Sequence, residues 1–203
     1  MNTRRKRGRP LYLWLVGLAA MMLVGALMSL QSLGSPLDVA IRSTALLGYV
    51  GLFLAIMASA YMRQMLSLFG KPFVRVHHIA AFTSLVLITL HPLGLAMRSA
   101  LNGLNLAVFV PDFSSWSAFL RFGGRPAWFL VIAAALAARF RGYIRPGWRA
   151  IHILNYVAFL LITVHGLMIG TDTQGLVVRI VMIAMALAVT AAFVAKRLRR
   201  RGR

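Results

Sequence analysis

The chain has 203 residues, 60% of them hydrophobic, with 23 Lys and Arg against three Asp and no Glu. That composition excludes an ordinary water-soluble domain and fits a membrane protein. The formal charge of +20 is clustered at the ends of apolar runs, which argues against a nucleic-acid-binding surface, and the absence of cysteine excludes disulfides, thiolate metal sites, iron–sulfur clusters and covalently attached haem.

Residues 1–10 form a basic N-terminus, followed by the uncharged run Leu11–Leu30. A cleaved signal peptide begins in the same way. Twenty apolar residues exceed the usual signal core, however, and no small-x-small cleavage site follows, so a retained anchor is expected. Ser43–Met62 is a second span, and Val76–Met97 a third, interrupted only by histidine. The long loop Arg98–Arg125 holds Pro111-Asp112-Phe113-Ser114 ahead of Trp116, Phe119 and Leu120, the pattern of a capped amphipathic helix lying on the membrane surface. Such a helix serves as an interfacial anchor or as a docking site for an outer partner.

Pro126–Ala138 is a short fourth span with a first-turn proline; it becomes long enough if Arg139 snorkels and the helix continues toward Tyr143. Ala150–Ile169 and Leu176–Ala195 are the fifth and sixth, ahead of a basic tail, residues 196–203. The expected fold is therefore all-α, a six-helix transmembrane bundle over residues 11–195. An even number of spans puts both termini on one side. That side carries 18 of the Lys and Arg residues, and the other five (Arg42, Arg98, Arg121, Arg125, Arg179) lie at or near the opposite face with all three Asp. The positive-inside rule makes both termini cytoplasmic.

Within this apolar frame, His77 and His91 are 14 residues apart on the third span, and His152 and His165 are 13 apart on the fifth. Ionisable residues inside a span are costly and mark functional sites. Each pair is separated by about 20 Å along its helix, one histidine near each face of a core about 30 Å thick. Both spans run outward, so depth pairs His77 with His152 and His91 with His165. Two neutral imidazoles per level are suited to axial ligation of haem iron with no open position, an electron-carrying arrangement. Fourteen residues keep one helix face to within about 40°, whereas 13 miss it by about 140° on an ideal helix. The fifth span must therefore overwind or tilt, or one of its histidines must sit where the helix begins. His78, 13 residues before His91, is an alternative inner ligand.

Other residues carry weaker signals. Met97 and Met168 near the outer pair read as packing more readily than as ligands. Phe82 and Phe159 either separate two haems or fill the core. Arg75, Arg145 and Arg149 near the inner site, and Arg98 and Arg125 near the outer one, could meet haem propionates, but basic residues at the inner face also follow the positive-inside rule. Zinc would need more ligands per level than two histidines. A proton-coupled transporter usually places carboxylates in its spans, and here all three lie in loops. A cofactor-free scaffold or transporter leaves the matched histidines unexplained.

The run Phe73-Val-Arg-Val-His77 through His91, with Trp148-Arg-Ala-Ile-His152-x3-Tyr156 through His165, resembles the ferric reductase-like transmembrane domain superfamily. That superfamily includes ferric reductases, NADPH oxidases and the haem-binding subunit of the bacterial periplasmic methionine sulfoxide reductase system. The resemblance covers roughly residues 42–195. It implies one or two b haems with His77, His91, His152 and His165 as axial ligands, and the family accommodates a 13-residue spacing. Size, six spans, Arg125-Pro126 and Trp148-x3-His152 are similar to the methionine sulfoxide reductase subunit. No dinucleotide fingerprint is present. Nicotinamide or flavin chemistry would then come from a separate cytoplasmic flavoprotein or reductase. The implied function is electron transfer across a bacterial inner membrane to an outer acceptor, with a periplasmic redox protein as one candidate partner.

Overall fold

The computed structural model describes residues 35–70, 73–101, 103 and 107–201. The expected first span, Leu11–Leu30, and the basic residues before it lie outside them. Among the described residues the chain is all-helical, with no strand. The elements are α1 (Pro36–Ala60), α2 (Met62–Phe69), α3 (Phe73–Leu101), α4 (Trp116–Arg121), α5 (Gly124–Arg139), α6 (Arg141–Ile144), α7 (Trp148–His152), α8 (Leu154–Ile169) and α9 (Leu176–Arg201). Four stretches are long and apolar enough to cross a membrane: Pro36–Ala60, Phe73–Leu101, the nearly continuous Arg141–Ile169, and Leu176–Leu198.

The α1 helix starts where Ser35 accepts a hydrogen bond from the Leu37 amide, followed at once by Pro36, which has no donor to lose there. It packs most closely on α3. The contact depends on glycine: a Cβ on Gly48 would lie 2.9 Å from the Ile88 side chain, and one on Gly94 2.6 Å from Ile41. Small residues that let backbones approach are the usual means of joining helices where no water drives association. Tyr49, Phe53 and Phe159 form the centre of the core, with Tyr49 stacked on Phe159 at 4.6 Å. The Tyr49 hydroxyl also bonds Thr163 Oγ1 at 2.9 Å and donates to the Met182 carbonyl at 3.2 Å, tying α1 to α8 and α9.

Ion pairs fix the helix directions. Arg98 at the end of α3 bonds Asp38 at the start of α1 at 2.6 Å. Arg42 on α1 pairs bidentately with Asp172, which follows α8. The C-terminal ends of α3 and α8 therefore share one end of the bundle with the start of α1, so α3 and α8 run parallel and α1 and α9 run against them. Asp112 also lies in an inter-helix loop, and its neighbour in charge is Arg125. We call this the aspartate end; the opposite end carries Arg63, Arg75, Arg139, Arg141, Arg145, Arg149 and Arg197.

The expected fourth span, Pro126–Ala138, falls within α5, whose 16 residues, about 24 Å, leave it outside the four stretches long and apolar enough to cross. It does not run on toward Tyr143. The helix closes at Phe140, whose amide bonds the Leu136 carbonyl, and a separate turn, α6, follows. Beyond it the chain breaks at Arg145, the residue before Pro146, which leaves helical geometry with φ 51°. The loop helix expected after Pro111 is present as α4. Its cap is Ser115, which accepts from the Ala118 amide, while Asp112 accepts from the Ser114 amide at 2.9 Å. Trp116 is 74% exposed and stacks on Phe119.

Candidate histidine site

The two histidine-bearing helices do not pack along each other. The α3 helix leans on α1, and α8 leans on α5. Among the described residues no hydrogen bond or ring contact joins a histidine of α3 to one of α7 or α8. His77 is in electrostatic reach of His152, and His165 of His91. His91 and His165 lie toward the aspartate end, His77 and His152 toward the other.

Three of the four rings are held in the same way. His91 Nδ1 donates to the Ile41 carbonyl at 3.0 Å, His152 Nδ1 to the Ala134 carbonyl at 3.2 Å, and His165 Nδ1 to the Arg121 carbonyl at 2.7 Å. A carbonyl oxygen only accepts, so in these bonds Nδ1 carries the proton and the lone pair of a neutral ring sits on Nε2; at His152 the Asn155 side-chain amide also lies 3.5 Å from Nδ1. No hydrogen bond engages Nε2 in any of the three among the described residues. A backbone carbonyl behind Nδ1 is the usual support of a histidine that ligates metal through its other nitrogen.

His77 differs. Its Nδ1 is buried without a hydrogen-bond partner; the Ala55 carbonyl approaches but does not complete a bond. His78 stacks obliquely beside it, with ring centroids 5.7 Å apart, and is exposed. His77 is the less exposed of the two.

The 13-residue spacing is accommodated at Ile153, where α7 ends and α8 begins. The Tyr156 amide bonds the Ile153 carbonyl at 3.0 Å, an i to i+3 bond. Three residues wound this tightly advance about 60° more than in an α-helix, moving the two rings toward a common face. His152 thus sits at the head of the span, ahead of its regular part.

Glycine shapes the other end. A Cβ on Gly124 would lie 2.9 Å from His165 Cδ2 and 3.0 Å from Nε2, and one on Gly123 would lie 3.2 Å from the Leu161 carbonyl. The Gly123-Gly124 pair therefore lets the start of α5 press against α8 and leaves room for the His165 ring. The sequence reading singles out neither glycine, although a Gly-Gly dipeptide immediately before Arg125-Pro126 is the available signal. Trp128, also on α5, donates to Thr89 Oγ1 at 3.2 Å and bridges to α3 two residues from His91.

The secondary candidates separate clearly. Phe159 is fully buried among Tyr49 and Phe53 as core, whereas Phe82 is 68% exposed and fills no core. Met97 and Met168 are exposed. Arg98 is engaged with Asp38, and Arg125 donates to the Val110 carbonyl at 2.8 Å. Among the described residues no group of three or more His, Cys, Asp or Glu is placed to hold a bare metal ion. No family model, curated protein or solved structure matches the chain.

Proposed function

We propose that this is a b-type haem protein of the ferric reductase-like superfamily, a six-span bundle with both termini in the cytoplasm of a bacterial inner membrane. It passes electrons from a cytoplasmic donor to an outer acceptor. The observation that carries this reading is the repeated arrangement of His91, His152 and His165, each with Nδ1–H bound to a backbone carbonyl and Nε2 left to ligate. The residues fit the group: two imidazoles at each of two levels, an unpartnered buried nitrogen on His77, and a glycine cradle against His165. Bound there, haem would supply one-electron chemistry that no side chain of this protein offers. The protein's part is to fix the ring orientations, exclude water and set the separation of the two levels.

A second reading is favoured by the unequal support of the pairs. Both outer histidines are locked by carbonyls and His77 is not, which suits a single haem on His91 and His165 in a subunit serving a periplasmic reductase.

A reduced-minus-oxidised spectrum of the purified protein, with haem-to-protein stoichiometry, tests both readings. Absence of b-type absorption after expression with ample haem overturns them. Two haems falling to one in His77→Ala supports the two-level reading, whereas one haem, unaffected by His77→Ala and lost in His165→Ala, supports the single-haem reading.

A further inference from the structure

Between α3 and α5 the chain exposes a small aromatic ladder. The Phe113 and Trp116 rings each stack on Phe119, with centroids 5.6 Å apart, and Val110 and Phe113 are 61% and 75% exposed. Ser114, Ser117 and Arg121, also exposed, form the adjoining side of the same turns. No histidine belongs to this patch. Its depth is fixed by its neighbours. The Arg121 carbonyl that ends α4 accepts from His165, which stands four residues, or about 6 Å, before the end of α8 at Ile169. A Cβ on Gly123 would lie 3.2 Å from the Leu161 carbonyl, eight residues, or about 12 Å, before that end. Arg125 bonds back to the Val110 carbonyl at 2.8 Å, which pins the start of the loop to the same level. The loop therefore lies beside the last turns of a stretch long and apolar enough to cross a membrane, and not above its end.

We infer that the loop 110–121 is sunk into the membrane leaflet at the aspartate end, with Val110, Phe113 and Trp116 against lipid acyl chains and Ser114, Ser117 and Arg121 among the head groups. Depth favours lipid over a protein partner, because a partner in water would meet the ends of the helices and not a turn lying below them. Continuity favours it too. Met168 and Ile169 on α8, and Leu176 and Val177 on α9, carry the exposed apolar surface of the bundle to this same end. The chemistry agrees, since Trp prefers the membrane boundary and a turn with aromatic residues on one side and hydroxyls on the other lies within it. Arg121 can lay its apolar stem along that boundary and keep its charge in water. The arrangement also accounts for the length of α5, whose roughly 24 Å fall short of a hydrocarbon core about 30 Å thick. The sunken loop over its first residue supplies the rest.

The chain has no cysteine, so a nitroxide can be attached at one introduced position at a time. The full chain is placed in vesicles of phosphatidylethanolamine and phosphatidylglycerol. Relaxation of each nitroxide by oxygen, which concentrates in hydrocarbon, is compared with relaxation by a water-soluble nickel complex. Leu187→Cys, on the exposed side of α9, calibrates the hydrocarbon, and Thr171→Cys, in an exposed loop, calibrates water. Labels on Phe113→Cys and Trp116→Cys should read about 5–10 Å below the head groups, and a label on Ser117→Cys should read at or above them. Labels at 113 and 116 as accessible to nickel as the one at 171 overturn the inference and leave the ladder in water for a protein partner. Fluorescence of the unlabelled chain guards against altered packing. The emission lost in Trp116→Phe should be quenched by lipids brominated on the upper acyl chain and not by aqueous acrylamide; the reverse pattern also overturns the inference. None of these readouts requires haem, so the inference and the proposed function fail separately.

Discussion

Gly124→Ala tests whether the backbone at the start of α5 sets the His165 ring. The new Cβ would sit 2.9 and 3.0 Å from two ring atoms, where carbon contacts relax to about 3.5–4.0 Å. The ring must then retreat by about 0.5–1 Å. It is tethered by a 2.7 Å bond from Nδ1 to the Arg121 carbonyl, and a retreat along that bond would lengthen it to about 3.2–3.7 Å, from the weak end of the hydrogen-bonding range to beyond it. Overpacking of this kind costs about 1–3 kcal/mol. Gly124 is the first residue of its helix, so the gain in helix propensity offsets little. Loss of orienting support for a metal-bound histidine typically weakens metal retention about 10–100-fold. The assay is haem retention during dialysis against apomyoglobin, followed by the b-type spectrum. Gly142→Ala is the matched control, because a Cβ there meets nothing within 4 Å. Retention by Gly124→Ala within about twofold of both wild type and Gly142→Ala would refute the reasoning.

Breaking the buried Arg42–Asp172 pair with Arg42→Met should destabilise the protein by about 3 kcal/mol, whereas Arg98→Ala, which loses a half-exposed partner of Asp38, should cost under about 1 kcal/mol; thermal melts in detergent compare the two. Tyr49→Phe keeps the stack on Phe159 but loses bonds to Thr163 and Met182, and the same melts should show a loss of about 1 kcal/mol. Hydrogen bonds from the Ser114 side chain and amide hold the Asp112 carboxyl below its ordinary range. A depressed carboxyl contributes its stabilisation above the unfolded value and loses it as pH falls through the folded one, so the turn before α4 should loosen only in acid. An NMR titration should show the Asp112 midpoint rising in Ser114→Ala, and an unchanged midpoint would rule out that cause.

Much of the helical layout was legible because apolar runs end at charges. Val76–Met97 falls inside α3, and Leu176–Ala195 inside α9. The pairing of histidines by depth followed from counting residues and spans. Less of the site itself was legible. Nothing in the identity of Ile41, Ala134 or Arg121 reveals that their carbonyls receive imidazole protons, since any residue offers the same acceptor. The turn at Ile153 has no glycine or proline to mark it. The preference for His77 over His78 rests on 14 residues against 13, about 40° against about 140° from the face of His91; in the bundle, where α3 packs on α1, His77 is the less exposed of the two. The expected continuation of α5 toward Tyr143 fails at Phe140, where the helix closes and a separate turn, α6, begins; nothing in the apolar count marks that break.

The hydrogen bonds behind the histidines have a consequence for membrane energetics. A histidine that hands protons along must release one from a nitrogen while taking another on its opposite side, then reset. A ring whose Nδ1–H is committed to a carbonyl cannot complete that cycle without breaking the bond. With no carboxylate in the apolar part of any described helix except at its outer margin, the bundle lacks the stepping stones that proton pathways use. If the proposed function holds, such an interior would let electrons cross the membrane without opening a path for protons beside them.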